Sequence, residues 1–441
     1  MGRVVFVLLI LAAALWSLKR PWVGVVASYL VAILTPQAVW YWNFDGVRPA
    51  LWLLLPTLLG FAFALGRGEH RLGILGNRRI ALLAGLWVFF IVSYLFGPYV
   101  DAQGPYRFTD PAWAFETLNK VLLLCFLACV CIDSEQRLRV LAGALIVSAI
   151  YLVYWANAQY LSGQVWGRLA GPTDESGQGT YADENTFAML FVVAQPFLWY
   201  AGLSMRSTVW RYAIWLVIPF AWHAVFLTAS RGGLVGIGVV TAIIALRSQR
   251  KALSLMLIPA LAIAYFWQAG DLMKSRADTI DEFKTESSAA TRIEAWEAAI
   301  NMVRAHPLTG VGLGSFGPAF PDYSTYQPRE AHNTFLQVAA ESGAIAGLAM
   351  TFLIFGSILA LRRNSARLRA RAPPEGQHIL WYLNEATLVA FCGFSACALF
   401  LSLQMYEILY FLVAMTNGVI HASADPQQER PLHTTVGTAS S

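Results

Sequence analysis

The sequence predicts an all-α polytopic membrane protein of about 12 transmembrane helices, within a range of 11–13. Three observations carry this. Of the 441 residues, 57% are hydrophobic and only 13% charged, whereas soluble domains run near 45–50% apolar and about 25% charged. Apolar stretches recur along almost the whole chain. The basic residues gather in short segments between those stretches.

Taken in order, the apolar stretches cover 4–16, 22–34, 51–65, 80–96, 121–132, 140–160, 187–203, 212–227, 234–246, 252–267, 343–361, 379–401 and 408–419. A spanning helix needs about 20 mostly apolar residues, so the first and last are the weakest. The first is followed by Lys19-Arg20-Pro21 where a signal peptide would show small residues, and it reads as a retained segment. Residues 1–425 read as one integral membrane domain, in which 1–160 are N-terminal helices. Residues 426–441 are small and polar and are expected to be a disordered tail.

Arg67, Arg71, Arg78 and Arg79 form one basic group, Arg247, Arg250 and Lys251 a second, and Arg362, Arg363, Arg367, Arg369 and Arg371 a third. Interleaved aromatics for stacking nucleic-acid bases are missing from all three. They fit the positive-inside pattern and place their loops in the cytoplasm. The alternate loops, 97–118, 161–186, 228–233 and 269–332, then face outward. Arg231, Arg292 and His332 fall on that same face. The five cysteines, Cys125, Cys129, Cys131, Cys392 and Cys397, lie inside apolar runs, so neither a disulfide framework nor a metal motif is implied.

Loop 269–332 is too long for plain coil. Thr291-Arg292-Ile293-Glu294 fits a capping box, with Ile293, Trp296, Ile300 and Val303 following at helical spacing. This predicts a short amphipathic helix lying on the membrane surface or the bundle, ended by Pro307. Gly312-Leu-Gly314-Ser-Phe-Gly317 matches a dinucleotide fingerprint, but no strand and no βαβ unit surround it. Its glycines read instead as letting the loop fold over a site.

Three side chains stand out. Arg231, in Ser230-Arg231-Gly232-Gly233 between two apolar segments, is costly at membrane depth and so a functional candidate. It also suits a short turn with a snorkelling arginine. Arg292, at the expected helix start, offers a guanidinium fork to an anion; alone it reads equally as a surface arginine. His332 stands where the loop returns to the apolar run, and a neutral imidazole there is a base or a helix-end structural histidine. Asn333, Glu341, Asn185 and Asp183 are candidates to orient His332 or a substrate, although Asp183 and Asn185 also suit a helix cap. The acidic pairs Asp183-Glu184, Asp278 and Asp281-Glu282 do not make a hard-cation cluster. No metal and no cofactor is expected.

Together these residues carry a resemblance. Thr228-Ala-Ser-Arg-Gly-Gly-Leu-Val-Gly236, Arg292 with Ala295-Trp296, Pro307-Leu-Thr-Gly-Val-Gly-Leu-Gly314, His332-Asn-Thr-Phe-Leu-Gln-Val338 and Glu341-Ser-Gly343 resemble the O-antigen ligase/polymerase superfamily. Asp183-Glu-Asn-Thr-Phe-Ala188 looks like the family's short motif, with Glu184 where proline is usual. The resemblance covers about 160–420, and the order and spacing of several weak motifs make it specific. Lys19-Arg-Pro-Trp-Val-Gly24 and Thr35-Pro36 look like an extension seen in a ligase subgroup.

The resemblance implies a lipid-dependent glycosyltransferase bundle in the bacterial inner membrane, with 161–420 as its ligase-like region and a periplasmic active site. It implies an undecaprenyl-diphosphate-linked glycan as donor and a hydroxyl of lipid A-core oligosaccharide as acceptor. Arg231 and Arg292 would hold the diphosphate and His332 would activate the hydroxyl, without metal. A glycan polymerase or a protein O-oligosaccharyltransferase would use the same donor. A transporter or flippase would show inverted repeats and midplane charges, and no repeat is seen.

Overall fold

In a computed structural model of the chain, the described residues are 2–44, 49–69, 72–102, 110–165, 167–175, 177, 179–248, 250–268, 287–371 and 379–424. The expected tail at 426–441, His70, Arg71, Asp278 and Asp281-Glu282 lie outside them. Among the described residues all regular structure is helical. In chain order the helices are α1 (Gly2–Lys19), α2 (Pro21–Leu34), α3 (Pro36–Val39), α4 (Tyr41–Phe44), α5 (Pro49–Gly66), α6 (Arg78–Phe96), α7 (Pro111–Cys131), α8 (Glu135–Leu161), α9 (Glu184–Ser204), α10 (Thr208–Thr228) and α11 (Arg231–Arg247). They continue as α12 (Lys251–Leu255), α13 (Leu257–Gln268), α14 (Ser287–Ala305), α15 (Phe316–Tyr323), α16 (Thr334–Ser342), α17 (Ala344–Arg371), α18 (Ile379–Ala398) and α19 (Glu407–Ala424).

Among the described residues, eleven helical segments are long and apolar enough to cross a membrane, α2 with α3 and α12 with α13 each making one. The chain is a polytopic membrane protein with the expected helical architecture. α11 runs 17 residues between Arg231 and Arg247, close to the shortest length that spans.

Packing separates pillar from periphery. α9 is the pillar, with 89% of its apolar window buried, against 6% for the α12–α13 segment. Helices α8, α10, α11 and α18 surround it. A helix apolar on every side suits such a place, and α9 buries Phe187, Phe191, Phe197 and Trp199. The lipid-facing helices instead leave large apolar side chains exposed, such as Phe266 and Trp267 on α13.

At one end of the bundle the segment 287–342 builds a second, smaller core. Ala295, Ala298, Ala299 and Met302 of α14 meet Val311, Phe316, Phe320, Ala331 and Ala340. Two expectations change here. Helix α14 begins at Ser287, so Thr291 does not cap it and Arg292 lies inside the helix. The face that packs is the alanine face, while Ile293 and Ile300 stay exposed. Alanines let α14 approach α16 closely, with Val303 packed beside them, and the two isoleucines are left on the outer side.

The glycine-rich run also differs from its expected role as a cover. Val311 and Leu313 are fully buried. The Val311 and Gly312 amides donate to the Ala340 and Glu341 carbonyls. Gly310 has φ +66°, and a Cβ there would lie 2.2 Å from the Glu341 carbonyl carbon. The run is a packed support behind α16, and glycine is what allows that approach.

Candidate functional site

His332 has φ +47°, a left-handed conformation uncommon for a residue with a side chain. The surroundings hold it there. On its N-terminal side the Ala331 carbonyl accepts from the Trp296 indole at 2.9 Å, and the Ala331 amide donates to Gln337 Oε1 at 2.9 Å. On its C-terminal side Asn333 caps α16, its Oδ1 accepting from the Phe335 and Leu336 amides at 3.1 Å. Strain retained between such anchors is a feature of functional positions. The Asn333 amide is committed to this cap and to the Leu399 carbonyl, so it orients His332 through the backbone.

Two differently charged neighbourhoods flank His332. On one side is an arginine group. Arg231 opens α11, whose cap Ser230 accepts from the Gly233 amide and donates to Asn185 Oδ1 at 2.8 Å. Arg168 donates to the Thr228 carbonyl at 3.0 Å and to Asn185 Oδ1 at 3.1 Å, and lies 3.6 Å from Glu184. Asn185 therefore ties two segments together. Arg292 lies over the Phe400 ring at 5.9 Å. Burial first, then the charges of Arg231 and Arg168, push the Arg292 guanidinium below its ordinary value. Among the described residues no carboxylate makes an ion pair with Arg231 or Arg292. Clustered cations of this kind are stabilised by an anion with several oxygens, such as a diphosphate.

On the other side is a cavity of about 640 Å³, inside the range of about 300–1,000 Å³ usual for ligand sites. His332, Asp183, Glu330, Glu341 and Glu407 contribute to its wall, together with Trp113, Gln404 and Tyr406. Asp183 stands where a helix cap meets the cavity wall. It caps α9, accepting from the Asn185 and Thr186 amides at 3.0 Å, and it lines the cavity. Glu341, near the end of α16, accepts from Gln337 Nε2 at 2.8 Å. Burial raises its carboxyl to about 7, against the pull of Gln337. Burial likewise raises Glu330 to about 7, with Ser402 opposing.

His332 feels both sides. Burial, then Arg292, lowers its imidazole below the ordinary 6.5, with Asp183 opposing. An imidazole so placed is uncharged at neutral pH and has a lone pair to take a proton.

The structure thus brings Arg231, Arg292, His332, Asp183 and Glu341 to one end of the bundle. Sequence reading passed over Glu330, Arg168 and the 399–407 turn. Arg168 and Glu330 carried a signal, as charged residues in outward loops; the turn carried none, being apolar and adjacent to spans. Among the described residues, no group of three or more His, Cys, Asp or Glu is arranged to hold a metal.

No curated protein matches the chain. Residues 214–351 match the family model described as O-antigen ligase, a segment that contains Arg231, Arg292 and His332. Over that segment the chain is similar to the O-antigen ligases.

Proposed function

We propose that the protein transfers a glycan from undecaprenyl diphosphate to a hydroxyl of lipid A-core oligosaccharide, on the periplasmic side of the bacterial inner membrane. The observation that supports this best is His332, held left-handed in the wall of a cavity that carries several carboxylates, with the Arg292 charge acting on it. In this reading Arg231 and Arg292 bind the donor diphosphate. His332 takes the proton of the acceptor hydroxyl as its oxygen bonds to the anomeric carbon. The bond from that carbon to the diphosphate oxygen breaks, and its electron pair leaves with undecaprenyl diphosphate. One displacement inverts the anomeric centre. Charge grows on the leaving group, where the arginines act.

The cavity fits other sugar acceptors as well, so a growing glycan or a protein hydroxyl is the alternative with the same donor. Reconstitution in proteoliposomes decides. Purified protein, an undecaprenyl-diphosphate glycan and lipid A-core should give glycosylated lipid A-core, at a rate that excess EDTA leaves unchanged. Donor consumed only when a second glycan or a protein is supplied would replace the acceptor. Donor untouched under every condition would remove the transferase reading.

A further inference from the structure

The carboxylate-lined cavity has a property that donor chemistry does not explain. The diphosphate is matched by the arginines, so the second chamber is left for the other substrate. Its wall offers carboxyl groups in Asp183, Glu330 and Glu341, an amide in Gln404 and an aromatic face in Trp113. Gln404 is only 3% exposed, and its Oε1 has no hydrogen-bond partner among the described residues. A buried acceptor atom left unpaired is costly, and Gln404 is one of the residues that line the cavity. Glu407, on the same wall, is held by the Tyr181 hydroxyl at 3.1 Å.

We propose that this cavity is the acceptor subsite and that it selects an uncharged polyhydroxy group, a neutral sugar, over one carrying phosphate or carboxylate. The acceptor role rests on the transferase reading above; the selectivity rests on the cavity lining. Sugar hydroxyls both donate and accept, so they satisfy carboxylates and an amide oxygen together. Burial raises the Glu330 and Glu341 carboxyls to about 7, so each can meet a hydroxyl as acceptor or as donor. An anionic group placed among them meets like charge, which is how sites reject a near-identical ligand. The arginines across His332 keep the two substrates' charges apart.

The test uses full-length protein in nanodiscs and two probes, a glycolipid ending in a neutral hexose and the same glycolipid phosphorylated on that hexose. Calorimetry without donor should give binding of the neutral probe about tenfold or more tighter. Glu330→Gln should narrow the gap by improving the phosphorylated probe, and Gln404→Ala should weaken the neutral one. Equal or tighter binding of the phosphorylated probe overturns the proposal. So does no binding of the neutral probe, or indifference of both probes to both variants. These readings need no turnover, so they stand apart from whether the donor is consumed.

Discussion

The two ends of helix α11 carry arginines in opposite circumstances. At its C-terminal end Arg247 makes a two-pronged pair with Glu385, at 2.7 and 2.9 Å, and also donates to Ser365 at 3.2 Å. Glu385 is fully buried. The charge is matched within the protein, and the pair joins α11 to α18. At the N-terminal end Arg231 stands near Arg292 and Arg168, and like charges press on one another. One arginine is matched by a carboxylate; the other has arginines for neighbours and makes no ion pair among the described residues. The difference teaches that burial of a charge is a weak guide to function, while the sign of its neighbours is a strong one.

The comparison can be broken first at His332. His332→Ala should lower transfer by about 10²–10⁴-fold while the melting temperature and membrane insertion stay near native. A variant that still transfers at the native rate would end the base assignment.

The arginines come next, and the two ends should respond in different currencies. Arg231→Ala or Arg292→Ala should cost about 10²–10³ in turnover with little loss of stability. Arg247→Ala should instead destabilise by about 3–5 kcal/mol, because Glu385 is left buried and unpaired. Adding Glu385→Leu to an Arg247→Met variant should recover much of that loss. Thermal unfolding beside kinetics separates the cases; a stability loss at Arg231 equal to that at Arg247 would erase the contrast.

The smallest effect is in pH dependence. His332 is lowered below its ordinary 6.5, so the base is unprotonated at neutral pH and the acid limb of turnover should fall below pH 6.5. Removing the Arg292 charge raises the imidazole, so Arg292→Gln should move the acid limb to higher pH. Arg292→Lys keeps the charge and should leave the limb in place. Identical limbs in Gln and Lys variants would detach His332 from the arginine group.

Much of this site was legible before the fold was known. Arg231 and His332 announced themselves because a charge or a base beside an apolar run is unusual locally. Arg292 did so through its position in a long loop, although the reason offered, a helix start, gives way to a place within α14. Glu330, Gln404 and Arg168 were less visible. Their importance comes from neighbours 60 or more positions away, as when Arg168 meets the Thr228 carbonyl.

The sequence by itself determined the class: apolar stretches of spanning length leave backbone groups nothing but a helix to satisfy them in lipid. It also determined the order of motifs and which end of the bundle they share, because alternating basic loops sort the connections. Only the tertiary structure decided that alanines rather than isoleucines pack α14, since close approach between helices rewards small side chains. Only it decided the left-handed turn at His332, held through Ala331 by Trp296 and Gln337. And only it brought arginine and carboxylate charges together to act on His332, because electric fields follow distance in space and not separation along the chain.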